Sequence, residues 1–163
     1  DAQGNGVVEN SLTQVAWSVS SIERLSFLDG TLAFDLDGEA GQAYRLYQAA
    51  FDRVPDLEGL TYWIGRLDSG TTSLNAVADS FIHSPEFIRT YGTPQTVSNA
   101  QYVELLYNHT LGRISDREGF NYWTNKLDTH QTNRGDLLAF FSESDENHAR
   151  VEPDINDGIW FLA

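Results

Sequence analysis

The chain is one unit written twice. From Leu46 the first copy reads LYQAAFDRVPDLEGLTYWIGRLDSG, and from Leu106 the second reads LYNHTLGRISDREGFNYWTNKLDTH. They align without a gap at an offset of 60 residues, pairing Tyr47 with Tyr107, Arg53 with Arg113, Asp56 with Asp116, Glu58 with Glu118 and Gly59 with Gly119. The match continues through Tyr62 and Tyr122, Trp63 and Trp123, Leu67 and Leu127, Phe81 and Phe141, Ser84 and Ser144, and Glu86 and Glu146. Self-similarity at one fixed period marks a repeat architecture, in which a unit buries its apolar face against its neighbour.

The unit is helical. Ala43, Leu46, Tyr47, Ala50 and Phe51 fall at the i, i+3, i+4, i+7, i+8 spacing of a buried stripe, and Val103, Leu106, Tyr107 and Leu111 repeat it. Asp56 and Asp116 then stand as N-caps of a second helix, whose face is Leu60, Trp63, Ile64 and Leu67 in one copy and Phe120, Trp123 and Leu127 in the other. A third helix follows Ser73, with its counterpart around Leu137, Leu138 and Phe141. Ser84-Pro85-Glu86 and Ser144-Asp145-Glu146 open a fourth, with proline at the first helical position of the former. Gly92-Thr93-Pro94 breaks the chain between copies. The expected fold is mainly α: a tandem duplicated helical repeat forming one domain, over residues 39–92 and 98–152, with the copies packed around the Tyr-Trp pairs. Residues 1–38 read as a small β-rich N-terminal cap or the end of an upstream β-region. Its short strands are TQVAWSVS, IERLSF and TLAF, with Asp29-Gly30 as a two-residue hairpin loop. Residues 153–163 form a C-terminal tail, acidic and then apolar.

Composition narrows the function. A chain of 163 residues can bury a sizeable core. Its 24 acidic and 10 basic residues leave a net charge of −14, the wrong sign for nucleic acid or an anionic membrane, and one suited to solubility or cation binding. No cysteine is present, which removes disulfide and thiolate chemistry. No apolar run approaches the roughly 20 residues of a membrane span, so no membrane insertion is expected. The four histidines lack metal-ligand spacing, and neither a Gly-rich phosphate loop nor a nucleophile elbow occurs, so no enzyme is expected. The chain opens in mid-sequence character, as a fragment would.

The pattern L-Y-x-x-x-[FL]-x-R-x-x-D-x-x-G-x-x-Y-W, from Leu46 to Trp63 and again from Leu106 to Trp123, resembles domain of unknown function 4214. AGQAYRLYQAAFDR resembles its usual beginning, and SIERLSFLDGTLAFDLDG resembles the segment that closes an RTX-type β-region before it. The family in turn resembles the helical repeat of phycobilisome linkers. The resemblance implies a non-enzymatic interaction or scaffold module of a larger secreted or surface protein, adhesin-like or surface-layer-like, outside a bacterial cell. Expected partners are other domains of that protein and cell-surface polysaccharide or protein; a carbohydrate-binding module is the alternative. The second copy departs from the first at Asn147, where the first has Phe87, so a different packing of its last helix is expected. If Ala163 is the native end, DGIWFLA resembles an uncleaved type I secretion signal.

Three groups of residues carry candidate chemistry. Arg53 and Arg113 read either as clamps for a carboxylate or sulfate, or as forks tying their own loops to Glu58, Glu118 or exposed carbonyls. Tyr62 and Tyr122 are candidates for stacking on sugars, because the adjacent Trp63 and Trp123 lie on the apolar stripe and adjacent residues do not share a helix face. Asp35, Asp37 and Glu39, in D-L-D-G-E, offer alternating carboxylates for calcium, the one cofactor the sequence suggests. The third early oxygen ligand and the closing Glu of an EF-hand loop are missing, and the alternative is a strand end and helix N-cap whose acidic residues the helix dipole favours.

Overall fold

A computed structural model describes residues 5–10, 13–93 and 95–163. In the first copy the helices are Glu39–Phe51 (α1), Leu57–Asp68 (α2), Leu74–Ile82 (α3) and Pro85–Tyr91 (α4). The second holds Asn99–Leu111 (α5), Arg117–Asp128 (α6), Arg134–Ser142 (α7) and Asp145–Ile155 (α8). The mainly α reading is therefore correct, and the helix starts are where the cap residues stand. The side chains of Asp56, Ser73, Ser84, Asp116, Asn133 and Ser144 each accept the backbone N–H three residues on, the reciprocal of the donors that a helix N-terminus leaves unpaired. Ser98 and Gln101 add a full capping box to α5. Pro94, in the break between copies, lies outside the described residues.

The copies meet differently from the expectation. The core between them runs along α1 with α5 and α3 with α7, not around the Tyr-Trp pairs. Thr110, fully buried, donates to the Ala49 carbonyl across the α1–α5 contact. Gly135 lets α7 lie directly against the backbone of Asp79 in α3, where a Cβ would sit 3.0 Å from its Cα. Trp63 and Trp123 are half-buried, each packed edge-on against the phenylalanine of its own copy, Phe81 or Phe141. At the α1–α5 seam Ala49 lies beside Tyr102, Leu105, Leu106 and His109 instead.

Five strands accompany the helices among the described residues. Gly6–Asn10 (β1) and Val15–Val19 (β2) pair antiparallel as an exposed hairpin, and β1 was not legible in the sequence. Arg24–Ser26 (β3), Gly30–Ala33 (β4) and Ile159–Leu162 (β5) form a second antiparallel sheet in the order β3-β4-β5. The hairpin between β3 and β4 is present but shifted by one residue. Phe27 N–H bonds the Gly30 carbonyl, so Leu28 and Asp29 form the loop and Gly30 begins β4. Gly30 serves packing rather than the turn, since a Cβ there would sit 2.4 Å from the Trp160 ring. The apolar tail is strand β5: Ile159 is buried, and Leu162 N–H donates to Thr61 Oγ1 on α2 at 2.9 Å.

Candidate functional site

The residues that define the repeat form one cluster per copy. The αL residue Asp52 ends α1, and Gly112, also αL, ends α5, turning the chain into a short loop. The next residue is the arginine. Arg53 makes a bidentate pair with Glu86, 2.8 Å from Nε to Oε1 and 3.0 Å from Nη2 to Oε2, and its Nη1 donates to the Val54 carbonyl. Arg113 repeats this with Glu146, 2.8 Å from Nη2, and with the Ile114 carbonyl. Each guanidinium also lies over the ring of Tyr47 or Tyr107, at 5.6 and 4.9 Å. Both forks are thus tied to the chain's own carboxylates and carbonyls. The carbonyl contact is the one expected for a loop tie, but the carboxylate comes from α4 or α8 and not from Glu58 or Glu118. The hydrogen bonds from the arginines hold Glu86 and Glu146 below the ordinary carboxylate range.

The D-x-x-G pair has an equally local explanation. Asp56 caps α2 through Gly59 N–H, and a Cβ on Gly59 would lie 2.1 Å from the Tyr47 hydroxyl. The same holds for Asp116, Gly119 and the Tyr107 hydroxyl, at 2.2 Å. Burial pushes the Tyr47 hydroxyl up to about 12, so it stays protonated at neutral pH.

Tyr62 and Tyr122 point to solvent, 54% and 53% exposed. Each leans edge-on against the tryptophan that follows it, with centroids 4.8 Å apart, and carries a cation over its ring, Arg66 or Lys126. The second copy extends this platform. Phe140, 57% exposed, stands 4.8 Å from Trp123 beside a groove of about 420 Å³ that Asn75, Thr132 and Asp136 also line. The first copy has Ser80 at that position, so only the second presents three aromatic rings in a row.

The acidic junction before α1 is not drawn into a cluster. Asp35 is gripped by Arg24, 3.1 Å from Nε and 2.7 Å from Nη2, and Arg24 also binds Asp68 on α2. Asp35 further accepts Ala40 N–H near the start of α1. Asp37 lies fully in solvent, 3.9 Å from His148, and Glu39 faces outward in the first turn of α1. Among the described residues no group of three or more His, Cys, Asp or Glu side chains converges as a metal site.

One buried charge escaped the sequence reading. Arg45 is 2% exposed, and it binds Glu143 with 2.9 and 2.6 Å contacts while donating to the Leu36 carbonyl. It locks α1 of the first copy to the α7–α8 turn of the second. Its only sequence signal is asymmetry: Leu105 occupies the matching position in the other copy, and His83 matches Glu143. Asn147, where the copies depart, is fully buried, and its amide donates to the Ser142 carbonyl in the place Phe87 fills with a ring.

Compared with known proteins, the chain matches the model for Domain of unknown function (DUF4214) twice, over residues 40–84 and 78–151. No curated protein and no solved structure gives a match to it.

Proposed function

The chain belongs to the DUF4214 family, and on that premise we propose that it is a non-enzymatic interaction or scaffold module of a larger bacterial protein carried outside the cell. One observation carries the reading. The tyrosine, arginine and aspartate that recur around each loop are consumed in holding it: Tyr47 and Tyr107 under the arginines, the arginines on Glu86 and Glu146, and Asp56 and Asp116 on helix ends. What the repeat repeats is rigidity. The net charge of −14 suits a solvated module among neighbouring domains. The resemblance of residues 21–38 to the close of an RTX-type β-region supports export, and the linker-like helical pattern supports a role in joining other domains. The test is a tagged form expressed in its parent protein. Protease added to intact cells should remove the tag, and deleting residues 39–152 should release the parent protein from its cell-surface partner. A tag protected until the cells are broken would overturn the reading.

A carbohydrate-binding reading is favoured by the Tyr122-Trp123-Phe140 platform, since stacked rings beside amide and carboxylate groups suit a sugar face and its hydroxyls. A glycan array decides it. Reproducible binding lost in both Tyr122→Ala and Phe140→Ser establishes the reading, and binding that survives Phe140→Ser removes it.

A further inference from the structure

The duplication supplies its own control for one cavity. Helix α8 packs on α1 beside the arginine loop of the first copy and leaves a polar cleft of about 270 Å³. Tyr44, Gln48, Asp52 and Arg53 line it from α1 and the loop, and Arg150 and Asp154 line it from α8. Tyr44 is 8% exposed, and its hydroxyl has no hydrogen-bond partner among the described residues. The Gln48 carboxamide is likewise unpaired among them, and so is the exposed Asp154 carboxylate. Polar groups left unpaired in a recess cost stability unless water or a ligand meets them.

In the second copy the matching groups satisfy one another. Glu104 stands for Tyr44 and accepts the Ser115 hydroxyl at 2.6 Å, and Asn108, standing for Gln48, donates to the Glu104 carbonyl. The first copy has Pro55 in place of Ser115, with neither hydroxyl nor N–H to offer, so Tyr44 keeps a free hydroxyl. Burial, and after it the Asp154 carboxylate, pushes that hydroxyl up, so at neutral pH it stays protonated and can both donate and accept. The cations, by contrast, are spent. Arg53 forks on Glu86 and reaches the Val54 carbonyl, while Arg150 donates to the carbonyls of His109 and Thr110 and pairs with Asp52 at 3.5 Å. Neither keeps an open fork for a carboxylate or phosphate, and both repel a further cation. Asp52 and Asp154 in turn repel an anion. What fits the free groups is a neutral molecule with donors and acceptors on neighbouring atoms.

We propose that this cleft holds one residue of a neutral saccharide, whose hydroxyls donate to Asp154 and bond with Tyr44 and Gln48. At about 270 Å³ the space falls just under the ~300–1,000 Å³ of sites for larger ligands, which suits a single sugar ring. The site shares no residue with the Tyr122-Trp123-Phe140 platform and stands or falls apart from it. The probes are D-glucose, D-galactose, D-mannose and N-acetyl-D-glucosamine, each titrated into the ¹⁵N-labelled full chain. At least one should give saturable shift changes at Gln48, Val54 and Arg150, with a dissociation constant on the order of 1–10 mM. Tyr44→Phe removes only a hydroxyl that has no partner in the chain, so the fold should be kept while binding weakens about two- to tenfold, the worth of one hydrogen bond. Tyr44→Glu with Pro55→Ser rebuilds the self-satisfied arrangement of the second copy and should abolish binding. Asp154→Asn, at an exposed position, keeps the test valid if that double variant fails to fold, and should also weaken binding. Glycine and methylammonium chloride, a zwitterion and a cation, should not saturate. Saturation by either at the same amides, binding unchanged in Tyr44→Phe, no saturation by any of the four sugars, or shift changes confined to Trp123 and Phe140 would overturn the proposal.

Discussion

At Gly59 and Gly119 a single hydrogen separates a well-packed turn from a clash. A methyl group at either place meets the tip of a tyrosine ring that is itself pinned between a phenylalanine and an arginine. The ring is rigid and cannot swing away, so Gly59→Ala should cost about 1–3 kcal/mol, the usual range for overpacking. The gain in helix propensity from glycine to alanine, about 1 kcal/mol, opposes this in part. Tyr47→Phe removes the atom in the way. The pair Gly59→Ala with Tyr47→Phe should therefore lose less than the two single changes added together, measured by urea unfolding. Strict additivity would show that the hydroxyl is not what excludes the methyl. The duplication made these residues legible, because it marks which positions the unit cannot vary. It could not name Glu86 as the arginine's partner, since that carboxylate lies 33 residues on and only the folded return of α4 brings it close.

Among elements, the joint between copies rests on a charge that neither sequence period nor propensity reveals. Arg45 sits between Tyr44 and Leu46 on a helix buried on almost every side, where pattern reading assigns arginine to solvent. Removing Glu143 alone leaves a guanidinium 2% exposed without its partner. Breaking such a pair costs about 3–5 kcal/mol, and Glu143→Ala belongs near the lower end because that carboxylate is 25% exposed and water can reach the gap. Replacing both residues, as Arg45→Met with Glu143→Leu, should recover more than half of the loss, because a buried pair exchanged for apolar packing is often neutral. Additive losses in denaturant unfolding would refute the pair as the source. The same limit explains the strands. Caps and apolar stripes are local signals, so the helices were readable from the sequence. Strand β5 pairs with β4 from the other end of the chain, and no local signal distinguishes it from a free tail.

For the whole molecule the dominant number is the charge of −14, spread over a small surface whose carboxylates outnumber their cations by more than two to one. Packing them into one body raises their mutual repulsion relative to the unfolded chain, so the folded state should gain from screening. Raising sodium chloride so that the Debye length falls from about 30 Å to about 8 Å should raise the melting temperature, at roughly 2–4 °C for each kcal/mol in a chain of this size. The ion pairs on Arg53 and Arg113 are partly exposed and weaken over the same range, but at about 0–1 kcal/mol each they lose less than the net repulsion relieves. Calcium separates this general effect from a bound ion. Asp35 already holds Arg24, and Asp37 projects into solvent beside His148, so a calcium ion at the junction must first displace an arginine that Asp68 also retains. Calcium and magnesium at matched ionic strength should then raise the melting temperature equally in chelator-treated protein. A larger rise with calcium, lost in Asp37→Asn, would restore the junction as a metal site, since calcium accepts irregular oxygen shells that magnesium does not.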